Sequence, residues 1–534
     1  MVGPHYTIPA RLGQTYGHTL FHSFGLFNVQ TGESATFTGP RTIDNILSRI
    51  TGGQRSLIDG TLRSDIPGAN LYLLNPAGVL FGPHATLDVK GSFHVSTADV
   101  IRLQDGGVFH ANLAEHSVLT VAPPAAFGFL RPDPAAIRLH GSTLTVREGK
   151  TVSIIGGNVI MTGGTITAPG GQSHLVSIAS PGEVEFAPPG QRPTLTVDTV
   201  ERFGKVTLSD AARIDVSGER GGTVVIRGGS LWLNRSRMVA DTQGERNGAR
   251  VGVDIDITDT VTLTNRSFIT AQVFEAGNAG EIRLEAEHVR INESTVSARA
   301  DITARGRMGK ITLDVGTLTL TNGGAIENIG FGGPGERGTI MIRATDSVTI
   351  IGQARNGFPS GIFSSGINRT GGRVVVKAPI VRLTNGGIIT TVTGGGSFRG
   401  GEIVINAATL MIRGESGITS SSIGAGTAGI VRVRATDSVI IAGQGGGLFS
   451  AAGGGGAAGS IILRAPIVRL TDGGMISAQT RGEGRGGEIV LKTGQLSQWR
   501  SQDRQQHPGD TTRGRGNSHS VGHGDNYGAR QRAL

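Results

Sequence analysis

Apolar and polar residues alternate in short runs through the C-terminal part of the chain. In Gly401-Glu-Ile-Val-Ile-Asn-Ala407, Ile403, Ile405 and Ala407 fall on one side and Glu402, Val404 and Asn406 on the other. A period of two predicts a β-strand with one buried face. The same stretch continues through Thr409-Leu-Met-Ile-Arg413 and Gly417-Ile-Thr-Ser420, so three short strands separated by turns predict one triangular coil. No apolar stripe of helical period and useful length occurs anywhere.

The pattern repeats. Modules open at Gly280, Gly309, Gly338, Gly372, Gly401, Gly429, Gly459 and Gly487, which are 29, 29, 34, 29, 28, 30 and 28 residues apart. A period in this range predicts a solenoid, in which coils stack and inward residues pile on their equivalents ~4.8 Å away. A coarser echo lies above it: Arg343-Ala-Thr-Asp-Ser-Val348 returns as Arg434-Ala-Thr-Asp-Ser-Val439, and Ala378-Pro-Ile-Val-Arg-Leu383 returns as Ala465-Pro-Ile-Val-Arg-Leu470. That echo points to duplication of a three-module block. Gly323, Gly386 and Gly473, each preceded by Asn322, Asn385 or Asp472, predict positive-φ corners, and stacked Asn or Asp side chains there predict a hydrogen-bonded ladder. Stacking in register also predicts that Glu281 meets Lys310 and Arg373 meets Glu402 across neighbouring coils.

The two ends differ from the modules. Nine of the 18 Phe and three of the four Tyr precede residue 130, which marks a separate N-terminal domain. In it Leu71–Leu74 and Thr86–Val89 read as strands punctuated by Asn75-Pro-Ala-Gly78 and Gly82-Pro83 turns. The expected division is therefore 1–130, an N-terminal domain; 131–221, continuing coils; 222–494, the repeat solenoid; and 495–534, a tail without Ile/Val alternation. The tail carries six Arg against three Asp and reads as disordered, as a shifted reading frame after Gly494 would make it.

Composition narrows the function classes. Glycine, at 87 of 534 residues, is about twice its usual share, but no Gly-X-Y period accompanies it, so collagen is excluded. Cysteine is absent, which removes disulfides and thiolate chemistry and suits a chain exported unfolded. The net charge of +9 is dispersed among arginines without interleaved aromatics, so a nucleic-acid footprint is missing and mild attraction to acidic glycans is what it supports. No apolar stretch reaches the length of a membrane span, and Met1–Leu20 lacks the basic start and apolar run of a signal peptide.

Candidate chemistry is sparse. Asp254, Asp256 and Asp259 in Val253-Asp-Ile-Asp-Ile-Thr-Asp259 place two carboxylates on one strand face, a spacing compatible with calcium or acid/base work, yet alternation with Val253, Ile255 and Ile257 assigns them to the solvated outer face. The 13 His show no His-x-x-x-His or His-Glu pairing, and Gly394-Gly-Gly396 lacks the lysine of a phosphate loop. No catalytic, metal or cofactor-binding residue is assigned.

Four stretches in order carry a family resemblance: Phe21-His-Ser-Phe-Gly-Leu-Phe-Asn28, Asn45-Ile-Leu-Ser-Arg-Ile-Thr-Gly-Gly53, Ser56-Leu-Ile-Asp-Gly-Thr-Leu62 and Asn70-Leu-Tyr-Leu-Leu-Asn-Pro-Ala-Gly-Val-Leu-Phe-Gly82. The segment Phe21–Asp99 resembles the haemagglutination-activity, or two-partner secretion, domain of filamentous-haemagglutinin-like exoproteins. Its Asn-Pro-Asn-Gly-Ile motif corresponds to Asn75-Pro76-Ala77-Gly78-Val79, with alanine for the second asparagine, and no Asn-Pro-Asn-Leu motif occurs. The resemblance implies an all-β fold, a right-handed single-stranded parallel β-helix with an N-terminal β-rich secretion cap. It implies export by a partner outer-membrane transporter with periplasmic polypeptide-transport-associated domains, to the surface or surroundings of a Gram-negative-type bacterium. Chains of this family begin with a signal peptide, so the expectation is that the leader is missing here.

Transporter recognition would then centre on Asn45, Arg49, Gly52, Gly53, Asn70, Asn75, Pro76, Gly78, Phe81 and Gly82, residues that shape the first coils in any case. The expected function is a non-enzymatic adhesin-like rod that contacts surface glycans or proteins through repeated outward side chains. Two alternatives stand beside it: a carbohydrate-active enzyme on the same scaffold, of lyase or hydrolase type, and a truncated product without function.

Overall fold

The computed structural model of the chain describes residues 3–186, 195–332 and 337–499. Among them there is no α-helix, and strands account for most of the chain. They build a parallel β-solenoid of two long sheets, one of 16 strands and one of 22. The expected all-β, coil-on-coil architecture is what the structure shows.

In-register rows of apolar side chains hold the coils together. One row runs Ile282, Ile311, Ile340, Val374, Ile403, Val431 and Ile461, each paired with the next across a parallel ladder. All seven are fully buried. A second row, Ile269, Val296, Ile326, Ile362, Ile389, Ile418 and Leu448, faces it from the 16-stranded sheet. Each such side chain contributes about 1.5–3 kcal/mol by leaving water.

Coils differ along the rod. Near the N-terminus each coil has three separate strands, as in Asn45–Ile50, Ser56–Ile58 and Thr61–Ser64. In the modules the expected first and second strands fuse into one, as in Glu402–Arg413, followed by Gly417–Ser422. The bend between them falls at a register irregularity beside Ala407, where extended residues replace a glycine loop and pairing continues around the corner. The corner after the long strand behaves differently: Asn322 and Gly323, Asn385 and Gly386, and Asp472 and Gly473 all have positive φ, so both residues of each pair make the turn, not the glycine alone. Asn322 Nδ2 donates to Asn292 Oδ1 at 3.1 Å, and Asn265 Nδ2 to Asn234 Oδ1 at 2.6 Å, so the amide ladder forms in pairs. The 34-residue spacing from Gly338 to Gly372 holds a small protrusion closed by an antiparallel bridge between Gln353 and Pro359.

The N-terminal coils carry two additions. Gln14–Tyr16 pairs antiparallel with Thr19–Phe21, so the outer edge of that strand is covered. A four-stranded antiparallel sheet, ordered Val108–His110, Val100–Leu103, Pro124–Phe129 and Gly182–Glu185, packs on the outside of the solenoid. It seals a second core in which Phe109, Phe127 and Val184 meet outward residues of the coils, among them Phe21, Leu47, Tyr72, Ile155, Val176 and Val225. Pro124–Phe129 pairs with Gly182–Glu185 across the expected boundary at 130/131. At the other end, Glu488–Trp499 runs through the expected start of the tail, with Gln495–Trp499 paired to Ile467–Thr471. The rest of that tail, 500–534, lies outside the described residues.

Arg369 breaks the apolar rule. It is 2% exposed beside Gly330 and Met308, donates from Nε to the Gly332 carbonyl at 2.9 Å, and its two terminal nitrogens find no hydrogen-bond partner among the described residues. Burial lowers its pKa from the usual guanidinium value. Arg369→Met keeps the unbranched stem and removes the desolvated charge. The variant is expected to unfold at a higher temperature, by the equivalent of about 1–3 kcal/mol, in a circular-dichroism melt.

Candidate functional site

The first three coils bring part of the candidate recognition set together at one corner. Gly52 sits directly on the turn below it: a Cβ there would lie 2.1 Å from the Gly25 carbonyl oxygen, so no larger residue fits without moving the backbone. Gly53 follows at φ +69°. One coil up, the fully buried Asn75 amide donates to the Gln54 carbonyl at 3.0 Å and to Ser56 Oγ at 3.0 Å, while its Oδ1 accepts from the Ala77 N–H at 3.0 Å. Pro76 and Gly78 complete that turn, and at Gly78, with φ +107°, a Cβ would lie 3.2 Å from the Ala136 carbonyl oxygen of the next coil. Gly52, Gly53, Asn75, Pro76 and Gly78 thus form one stacked corner. Around it Leu26, Gln54 and Arg55 are exposed.

The remaining candidates lie elsewhere. Asn45 and Asn70 stand at the opposite end of their strands, where Asn70 Nδ2 donates to Asn45 Oδ1 at 3.1 Å and Asn70 Oδ1 accepts from the Ser92 N–H at 2.9 Å. Phe81 is fully buried in the main core, and Gly82 packs against the Asp59 carboxylate, which also accepts from the His84 N–H. Arg49 points outward beneath the antiparallel sheet. It donates to Ser23 Oγ at 3.0 Å, to Ser117 Oγ at 3.0 Å and to the His110 carbonyl, and lies over the Phe109 ring at 4.5 Å. It therefore clamps the added sheet to the first two coils.

Sequence reasoning missed a polar stack beneath that sheet. Tyr72, His94, Ser153 and His174 occupy one outward row in register. Tyr72 and His94 rings stack at 4.4 Å, His94 Nδ1 and Ser153 Oγ are 2.9 Å apart, Ser153 Oγ and His174 Nδ1 3.1 Å, and His174 Nε2 reaches Gln172 Oε1 at 2.7 Å. Burial lowers both histidines to about 3, with His174 adding to the effect on His94 and Arg227 to that on His174. The covering sheet is what buries these outward histidines, and that sheet was not legible from the chain.

Two of the three acidic candidates are engaged. Asp254 accepts from Arg227 at 2.7 Å, Asp259 accepts from the Thr260 hydroxyl at 2.9 Å, and Asp256 is exposed on the outer face. Among the described residues no three His, Asp or Glu side chains converge as a metal site, and no helix is long and apolar enough to cross a membrane.

Residues 5–226 match the family model described as the TPS secretion domain. Among solved structures, the crystal structure of the HMW1 secretion domain from Haemophilus influenzae is similar at 16% identity, over 90% of this chain and 96% of that chain, with a TM-score of 0.36. No curated protein sequence matches.

Two outcomes are expected from this geometry. Asn75→Ala removes three hydrogen bonds and leaves Ser56 and the turn unsatisfied, so it should destabilise the N-terminal unit by about 1–3 kcal/mol in urea unfolding. The buried histidines bind fewer protons folded than unfolded, so their contribution is intact above the unfolded value of about 6.5 and is lost as pH falls toward about 3. At pH 5 each should cost about 2 kcal/mol relative to pH 7. Replacing both with Gln should reduce the slope of the stability profile between pH 7 and 5, measured by denaturant midpoints, leaving the part due to His22, which burial lowers to about 4.

Proposed function

We propose, from the premise that residues 5–226 are a TPS secretion domain, that this chain is an adhesin-like exoprotein carried across the outer membrane by a two-partner transporter. The family match carries that reading, because it spans the capped coils, the stacked corner and the added antiparallel sheet together. A TPS domain implies a transporter partner and a secreted product. The finer assignments are ours: docking to periplasmic polypeptide-transport-associated domains, delivery to the periplasm by a leader peptide, and a working rod without catalysis.

Physical chemistry supports the route. A solenoid contacts only its neighbours, so each coil can form on the previous one as the chain emerges. Gln14–Tyr16 covers the outer edge of Thr19–Phe21 and so blunts edge pairing with another chain on that sheet. Export and folding are then one process, and the folded rod cannot return through the pore.

The recognition surface in this reading is the stacked corner of Gly52, Gly53, Pro76 and Gly78, read through its exposed neighbours Leu26 and Arg55. Asn45, Asn70, Asn75 and Phe81 act through the shape they impose, since their side chains are turned into the protein or bonded within it. The non-enzymatic assignment is supported by the engagement of Asp254 with Arg227.

Secretion tests it. The chain, fused to a cleavable leader and co-expressed with a two-partner transporter in a Gram-negative host, should appear in the medium only when the transporter is present. Leu26→Asp with Arg55→Glu should leave the melting temperature unchanged and reduce secretion about tenfold or more. Undiminished secretion by the double variant would remove the corner as the recognition site. Secretion without the transporter would remove the two-partner reading.

A further inference from the structure

One outward row of the 22-stranded sheet separates its charges along the rod. In register it reads Arg227, Asp256, Glu285, Asp314, Arg343, Lys377, Asn406, Arg434, Arg464 and Lys492. Three acids therefore occupy consecutive rungs, followed by six rungs with five cations. Arg343 is bonded to Asp314 at the junction. Lys377, Arg434, Arg464 and Lys492 are exposed and make no ion pair among the described residues.

Like charges in adjacent rungs repel, and the fold does not require them there. The neighbouring rows show the alternative, with Lys310 3.5 Å from Glu281 and Arg373 3.1 Å from Glu402. In the cationic segment the row beside the cations is Val375, Val404, Arg432, Ile462 and Val490, again in register. The surface is thus a line of positive charge broken only at Asn406, about 20 Å from Lys377 to Lys492 at ~4.8 Å per rung, bordered by a strip without an aromatic ring that is aliphatic except at Arg432, which is itself paired with Glu402.

We propose that this track binds a linear polyuronate, a polysaccharide with one carboxylate on each sugar, laid along the rod axis. Three features select that chemistry. A chain with one negative charge per repeat matches a lattice with about one positive charge per rung. The aliphatic strip offers contact to the apolar C–H faces of sugar rings. Single-stranded nucleic acid would instead be held by stacking on aromatic side chains, which this strip lacks. The acidic segment at Asp256, Glu285 and Asp314 repels the same polymer and so sets where the track ends; Glu285 is itself held above the usual carboxylate range by burial and by those two neighbours. The assignment deepens the surface-rod reading by naming a partner.

Binding is measured on the purified full chain with polygalacturonate as probe, against neutral dextran and single-stranded oligothymidylate, over a range of salt. Polygalacturonate should bind most tightly, with affinity that weakens as salt rises. The quadruple variant Lys377→Ser, Arg434→Ser, Arg464→Ser and Lys492→Ser should lose about tenfold or more in affinity. Its melting temperature should not fall, because the removed groups repel one another. Asp256→Asn with Glu285→Gln and Asp314→Asn should bind as well as the unchanged protein or better. Unchanged binding by the quadruple variant overturns the proposal, as does equal binding of dextran or tighter binding of oligothymidylate. Because purified protein is used, failure here leaves the export assay untouched, and failure of export leaves this measurement valid.

Discussion

Everything in this molecule depends on register. Each coil must present its inward side chains directly over those of the coil below, because a parallel ladder shifted by one residue would turn every buried isoleucine to water. The rows from Ile282 to Ile461 and from Ile269 to Leu448 meet that demand without a polar interruption. Corners absorb the variation that the rows cannot. The protrusion closed by Gln353 and Pro359 adds residues at a turn, and the strands on either side still pair in step.

Much of this was legible in the chain. The two-residue alternation and the recurring glycine starts named the coil and its period, and the outward pairs Glu281 with Lys310 and Arg373 with Glu402 followed from stacking alone. The antiparallel sheet was not legible. Its strands are short, and Gly182–Glu185 lies more than fifty residues beyond its partner Pro124–Phe129, so no local spacing announces the pairing. The fused long strands escaped because Ala378-Pro-Ile380 reads as a break, whereas the backbone keeps pairing on both sides of it. The first coils were legible as a motif but not residue by residue. Asn75 and Gly52 are distinctive because they build a corner, while the exposed Leu26 and Arg55 carry no pattern that a single sequence displays.

Charge placement on the outside is free of the register constraint and records history instead. Arg343 and Arg434 precede alanine in the two copies of the Ala-Thr-Asp-Ser-Val block, and Lys377 and Arg464 precede alanine in the two copies of Ala-Pro-Ile-Val-Arg-Leu. Duplicating the block therefore lengthened the cationic row as a by-product of lengthening the rod. A surface made this way has a geometry fixed by the ladder and a chemistry fixed by one ancestral block of modules.

The antiparallel sheet has a mechanical meaning. It fastens side chains from Phe21 through Val225, so the early coils are cross-linked from outside, whereas later coils rely on their ladders, stacked core rows and scattered ion pairs. A load applied to the far end would unspool turns singly and halt on reaching the fastened block. Under such a load the chain lengthens while the fastened block stays folded.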